Sequence, residues 1–480
     1  MDSLSPTQKT FRWEDQDSFA ALSGDYNPMH MDPIFARRTQ AGRPVVHGVH
    51  NLMWAIDSFF RTYTGNKSIA RIQCKFSNLV HVGEQADLCV VSQDDTGCML
   101  KVRVGEAVVT MVVLTFGGTQ SALDTASEDG NSIQETEPIP RDFQDAIKVS
   151  GWFEVTASPL FESSFPWACK AMGQIRMAGL AALSRWVGMV NPGLHSIFTG
   201  LDVRCVEDMR PSLRFRVAKA DERYRHLRQE VHGCGLSGTV DSLVRQPPIR
   251  QASMERVKKV VAAGEFSSVV ALVVGMSRGL GEVTAKLIAA GGGKVVGTYA
   301  VGQAEAEDVA EEIRAAEGSC DIFQLRLPPS TDVAFPAVPK GINCLFYFAT
   351  PPVVARSSSE FDRPLFDSYI DIYATGFARV CTAIASGSGP MVCAFYPSTV
   401  YVEDGRPADL IEYAMAKAAG EVLCSEMPRK LPKLSTIVRR IPRVLTDLSA
   451  SVFVSEYGDP LQLMLPIVRE VTMTIGNMTS

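Results

Sequence analysis

Two places in the 480-residue sequence gather side chains that can move protons. The first is residues 22–50, LSGDYNPMHMDPIFARRTQAGRPVVHGVH, where an acid and an imidazole, Asp25 and His30, stand five positions apart. Pro28 between them fixes its own φ and biases Asn27 toward an extended or turn conformation, so the loop is stiff and both side chains can face one pocket. A water held between a carboxylate and an imidazole loses a proton to one while the other handles a second proton. Addition of water to a conjugated alkene needs both jobs. It also needs a donor for the oxygen that gains charge at the carbonyl. His47-Gly48, after the apolar pair Val45-Val46, reads as a helix start whose N–H is such a donor, and Gly48 allows close approach. In isolation, a D-x-x-x-x-H spacing more often marks a turn cap and a surface histidine.

The second place is VVALVVGMSRGLGEVTAKLIAA, in which Gly275, Gly279 and Gly281 follow a strand-like run and open a helix. Backbone N–H groups there can cradle a pyrophosphate, with Ser277 and Leu280 in the same turn. Tyr299, ending the second strand KVVGTY, and Ala349, after the fourth, are further candidate cofactor contacts, the latter on a family resemblance given below. That second strand is followed by Ala300 and not by the acid that would hold the ribose 2′-hydroxyl of NAD; with Arg278 in the turn, this favours the 2′-phosphate of NADP(H). Downstream, Tyr413 and Lys417 are four apart on one helix face. A nearby ammonium lowers a phenol's pKa, which fits Tyr413 as a proton donor for carbonyl reduction, and a hydroxyl from Ser398 or Thr399 can hold the carbonyl oxygen.

The chain is long enough for two or three domains, and its 46% hydrophobic and 21% charged content is that of a globular protein. A net charge of -6 gives no reason to expect nucleic acid or an anionic membrane as partner. No apolar run reaches spanning length and the polar N-terminus is unlike a signal peptide, so a cytoplasmic location is expected. The 11 cysteines are scattered without ligand spacing and read as buried thiols, and no metal is expected. All seven histidines precede residue 233, so the C-terminal half must work without imidazole. No Ser/His/Asp nucleophile set and no P-loop is visible.

Elements follow from periodicity. Residues 1–120 combine one helix, 47–63, apolar nearly all round, with strand-like runs at 68–76, 85–92, 99–104 and 107–116. One central helix wrapped by an antiparallel sheet is the hot-dog arrangement. Residues 121–139 lie in a polar, acidic linker. Residues 140–246 repeat the pattern weakly, with a long apolar helix over 167–190 and strands at 212–218, 224–233 and 235–244, but without a counterpart of the Asp25/His30 loop. This second half is expected to bury the open sheet of the first and to shape an acyl tunnel; His195 reads as structural. After RQPPIRQ, residues 255–480 alternate strands and helices, the order of a doubly wound parallel sheet.

The segment SGDYNPMHMD…A…VVHG closely resembles the signature of MaoC-like, (R)-specific enoyl-thioester hydratases and dehydratases. The resemblance implies an α+β hot-dog fold, here a double one, and reversible hydration of trans-2-enoyl thioesters. It assigns catalysis to Asp25 and His30, support to Asn27, and the thioester carbonyl to the Gly48 N–H. In double hot-dog members the active half is usually the second; here it is the first. The glycine turn with Tyr413 and Lys417 resembles the short-chain dehydrogenase/reductases, implying an α/β Rossmann domain. This sequence departs from their pattern at Phe348–Pro352, at Tyr373 in place of a helix asparagine, and at Pro442-Arg443. Together the resemblances imply NADPH-dependent reduction of a 3-ketoacyl thioester and dehydration of the (R)-3-hydroxyacyl product. The thioester is carried on coenzyme A or on an acyl carrier protein, and a homodimer is compatible. Two rivals remain: a hydratase with a silent reductase-like module, and a reductase whose hot-dog pair only binds acyl groups.

Overall fold

The computed structural model describes residues 7–65, 67–121, 131–327, 338–353, 361–386, 389–403, 410–447, 449 and 457–479. They fold as two compact units divided between Pro247 and Pro248.

In the first unit, eleven strands form one sheet. The order is Thr7–Thr10, Gln85–Gln93, Gly97–Val104, Ala107–Phe116, Ile69–Phe76, Ser196–Cys205, Leu236–Val244, His226–Gly233, Ser212–Asp221, Ser150–Glu154 and Asn131–Ser132. The two halves meet edge to edge: Ile72 lies opposite Val203 and Cys74 opposite Leu201 in an antiparallel pairing. The second half therefore extends the first half's sheet through backbone hydrogen bonds; the expectation that it would cover that sheet's open face is corrected in this respect.

Each half wraps its sheet around a helix. Gly48–Thr62 buries Val49, Leu52, Met53, Ala55, Ile56 and Phe59, which accounts for its nearly all-round apolar sequence. The helix expected over 167–190 is interrupted. Pro166–Met172 ends at Gly173, whose φ of +84° suits only glycine, and Gln174–Arg185 follows. The chain then widens into the turn Trp186–Val190, closed by the Asn191 N–H donating to the Trp186 carbonyl at 2.8 Å. Of the acidic stretch between the halves, residues 122–130 lie outside the described residues, and Asn131–Ser132 pairs as a short parallel strand with Ser150–Glu154.

The second unit is a six-stranded parallel sheet in the order Ser319–Gln324, Lys294–Tyr299, Val270–Val274, Cys344–Tyr347, Val392–Thr399 and Leu434–Ile441. Helices cover both faces, so alternate strand residues feed separate cores: Ala271 and Val273 pack with Val283, Val309 and Val468, whereas Leu272 and Val274 pack with Phe377 and Ala416. The strand order reverses between Val270–Val274 and Cys344–Tyr347, and the crevice beyond their carboxyl ends is the ligand position of this class. Among the described residues no helix is long and apolar enough to cross a membrane.

Candidate active site

Asp25 follows the helix Trp13–Ser23, which ends at Gly24 in the left-handed region, φ +74°. Asn27 caps the short helix Pro28–Met31, accepting from the Met29 N–H at 3.0 Å, and this turn carries His30. The Asn27 carboxamide donates to the Gly188 carbonyl at 2.7 Å and to that of Gly193 at 3.2 Å. It thus ties the loop to the second half.

The Asp25 carboxylate is buried and held on both oxygens. The Asn27 N–H donates to one at 3.1 Å, and the Ser184 hydroxyl donates to the other at 2.7 Å. Burial raises its pKa above the ordinary carboxylate value, and the charge of His30 and these two hydrogen bonds oppose the rise. His30 Nδ1 lies 2.8 Å from the Val45 carbonyl, an assignment that makes Nδ1 the donor and leaves Nε2 to accept. A carboxylate oxygen of Asp25 and ring nitrogens of His30 and His47 fall within 4.8 Å of one another. One water making two ordinary hydrogen bonds spans about 4.5 Å, so this is the spacing that a bridging water needs.

His47 caps no N–H; its ring stacks on His30, centroids 3.9 Å apart, and its Nε2 lies 3.0 Å from the Asp25 backbone carbonyl. Burial holds its pKa well below the ordinary imidazole value, so it is a neutral donor that orients the loop. His47 Nε2 is occupied by the Asp25 carbonyl.

Asp25, Asn27, His30 and Gly48 line one cavity of about 60 Å³ together with Asn51, Phe76 and Thr110 from the first half. Ser184, Val187, Gly188, Ser196, Ile197 and Phe198 complete it from the second. Gly48 begins its helix; a Cβ there would lie 3.2 Å from the Phe76 ring. Gly188 is tighter still, since a Cβ would fall 2.4 Å from an Asp25 carboxylate oxygen. Sequence reasoning missed Ser184 and Gly188. Their only signal is a hydroxyl and a glycine four apart near the end of a largely apolar stretch.

In the second unit, Gly275 and Gly279 adopt φ of +84° and +61°. A Cβ on Gly281 would lie 2.2 Å from the Gly275 carbonyl, and one on Gly275 3.0 Å from that of Phe348, next to Ala349. Strand, turn and helix thus pack as closely as a dinucleotide cradle requires, and these residues fit such a cofactor. Ser277 is buried in the turn, Leu280 packs on the core beneath it, and Tyr299 is half-buried at its strand end. Arg278 lies 3.8 Å from the buried Asp447, so its guanidinium is shared with an acid as well as facing the turn.

Tyr413 and Lys417 lie on the helix Ile411–Lys430. The Thr399 side chain favours the Tyr413 anion, whereas the Ser398 hydroxyl donates to Glu421, which also binds Arg440; of the two hydroxyls, Thr399 is the one brought to the phenol. Contrary to the lowering expected from an adjacent ammonium, burial pushes the Tyr413 phenol up. Lys417 is buried, donates to the Pro397 carbonyl at 2.7 Å and sits 3.9 Å from the centre of the Tyr373 ring. Burial lowers its pKa to about 7. Tyr373 lies in the wide turn Asp371–Gly376 and its hydroxyl meets that of Thr350.

Residues 4–113 match the family model described as the MaoC like domain. An (R)-specific enoyl-CoA hydratase of Aeromonas caviae is 59% identical over 32 residues, 7% of this chain and 24% of that protein. The peroxisomal hydratase-dehydrogenase-epimerase of Saccharomyces cerevisiae is 31% identical over 71 residues, 15% of this chain and 8% of that one. The chain thus spans less than a quarter of the length of these relatives. A short-chain dehydrogenase/reductase from Serratia marcescens is 20% identical, with a TM-score of 0.38, over 43% of this chain and 91% of that one. The strand order of the second unit stands on its own as the doubly wound topology of dinucleotide-binding folds. Residues 4–113 thus match a MaoC-like hot-dog domain, in a chain that joins them to a parallel α/β unit with the strand order of a dinucleotide-binding fold.

Proposed function

We propose that the chain is a bifunctional acyl-thioester enzyme that reduces a 3-ketoacyl thioester and dehydrates the (R)-3-hydroxyacyl product. Hydration of trans-2-enoyl thioesters is the reverse of the second step. The observation that carries this reading is the meeting of Asp25 and His30 at one cavity that Gly48 also lines.

In the hydration direction, a water lies between the Asp25 carboxylate and His30 Nε2. Its oxygen adds to C3, its proton passes to the dyad, and the dyad returns a proton to C2. The carbonyl oxygen gains charge as the enolate forms, and the Gly48 N–H at the helix start donates to it. Dehydration runs the same steps backwards. Ser184 and the Asn27 N–H keep the carboxylate aimed at the water, and His47 fixes the loop from behind. The name of the Aeromonas relative supports an acyl coenzyme A thioester as substrate class.

In the second unit the glycine turn holds the pyrophosphate of a nicotinamide cofactor, which supplies hydride when bound. Arg278 supports NADP(H), because the residue after the second strand is Ala300 and not an acid. Tyr413 donates the proton to the new alkoxide, and Thr399 holds the same oxygen. NADPH as donor favours the reductive direction.

A second reading, a hydratase with a silent reductase module, is favoured by Lys417. Its ammonium is already held by the Pro397 carbonyl and lies against the Tyr373 ring.

The test is incubation of the protein with a short 3-ketoacyl thioester and NADPH, followed by mass spectrometry. The two-step reading requires an enoyl product that Tyr413→Phe abolishes and Asp25→Asn stalls at the hydroxyacyl stage. No consumption, while a 3-hydroxyacyl thioester given directly is dehydrated, establishes the second reading.

A further inference from the structure

The acyl cavity contains a polar group that the hydration chemistry leaves unused. Asn51 lies three residues after Gly48 in the same helix and is 1% exposed. Its carboxamide nitrogen donates to the Thr110 hydroxyl at 2.8 Å, and both residues line the cavity. Its carboxamide oxygen is buried with no hydrogen-bond partner among the described residues. The neighbours Val49, Leu52 and Met53 are fully buried apolar residues, so nothing in the helix demands an amide here. Leaving a buried carbonyl unpaired is costly, and a group in that state calls for a partner that arrives from outside the chain. The oxygen can only accept, so the partner must donate.

We propose that Asn51, backed by Thr110, selects acyl thioesters whose chain carries a hydroxyl just beyond the reacting carbons. This rests on the hydratase reading of the cavity. Three residues of helix advance about 4.5 Å, which places the amide near the fourth or fifth carbon of a chain whose carbonyl sits at the Gly48 N–H. The amide N–H groups of a pantetheine arm are the other donors that such a substrate brings. They lie on the sulfur side of the carbonyl, and the exposed residues Asn78 and Leu79 mark where that arm leaves the cavity. With the carboxamide nitrogen donating to Thr110, its oxygen is the end left without a partner. A chain without the hydroxyl leaves the carbonyl unpaired and loses affinity; one good hydrogen bond restored here corresponds to about tenfold.

The test compares trans-4-hydroxy-2-butenoyl with trans-2-butenoyl, and trans-5-hydroxy-2-pentenoyl with trans-2-pentenoyl, all on N-acetylcysteamine. The pantetheine-like amide is then common to every probe, and the trans double bond prevents lactone formation. Binding of the unreactive amide analogues is measured by calorimetry, and turnover of the thioesters by loss of enoyl absorbance. Expected is a preference of about tenfold or more for one hydroxylated probe over its parent, in both affinity and kcat/KM. Asn51→Leu should bring the ratio to one or invert it, and Thr110→Val should weaken it. Equal or weaker binding of both hydroxylated probes by the unmodified protein overturns the proposal and leaves a trapped water as the amide's partner. A binding preference without any turnover preserves the proposal and defeats the hydratase reading instead.

Discussion

Asp25 sits under opposing influences: burial disfavours its charge, while Ser184, the Asn27 N–H and His30 favour it. Two outcomes follow at this scale. Below the ordinary carboxylate value of 3.8 the group is protonated whether the chain is folded or not. As pH rises, the unfolded chain ionises first while the raised folded pKa resists, so folding stability is lost from the ordinary value up through the raised one. Asp25→Asn has no such loss. Its melting temperature should exceed the parent's by a margin that grows as pH rises above about 4, even as hydration falls about a hundredfold or more. Calorimetry across that range reads the margin. Ser184→Ala removes one of the bonds that favour the carboxylate. The acid limb of the kcat/KM profile should move up by about half a unit to one unit, a shift that loss of packing alone does not produce.

At the scale of elements, the wide turn Trp186–Val190 decides how closely the second half approaches the catalytic loop. Its Gly188 leaves no room for a methyl group beside the Asp25 carboxylate. Gly188→Ala should displace that carboxylate and cut hydration about a hundredfold with the fold intact by circular dichroism. Asp25, Asn27, His30 and Gly48 are legible in the sequence because one stiff loop and the helix after it carry them all. Ser184 is 159 residues from the acid it holds, and the pairing of Ile69–Phe76 with Ser196–Cys205 together with packing of its helix on Trp13–Ser23 makes the two neighbours. No local pattern records such a meeting. The interruption at Gly173 was legible in principle, since glycine is the residue that left-handed backbone selects, but the apolar run on either side outweighs it in a periodicity reading. Between Ser398 and Thr399, strand alternation sends one hydroxyl to Glu421 and the other to Tyr413, and the sequence does not mark which face is which.

At the scale of the molecule, the two units have separate cores, and the proposed dehydration chemistry draws on residues of the first alone. Residues 1–247 produced alone should retain hydratase activity, measured on a short enoyl thioester. Residues 1–120 alone should not: they lack Ser184 and Gly188, and they expose Ile69–Phe76 as an unpaired edge, which should appear as aggregation in light scattering. The second half, which shares the continuous sheet but has no acid–imidazole loop of its own, also sets a count. On the proposed reading, two sheet-and-helix halves make a single reaction centre, with one supplying the proton chemistry and the other its walls. A tight inhibitor of the hydration step should therefore titrate to one equivalent per chain. Whatever copies assemble, the ratio of hydration centres to nucleotide cradles stays at one to one by covalent linkage.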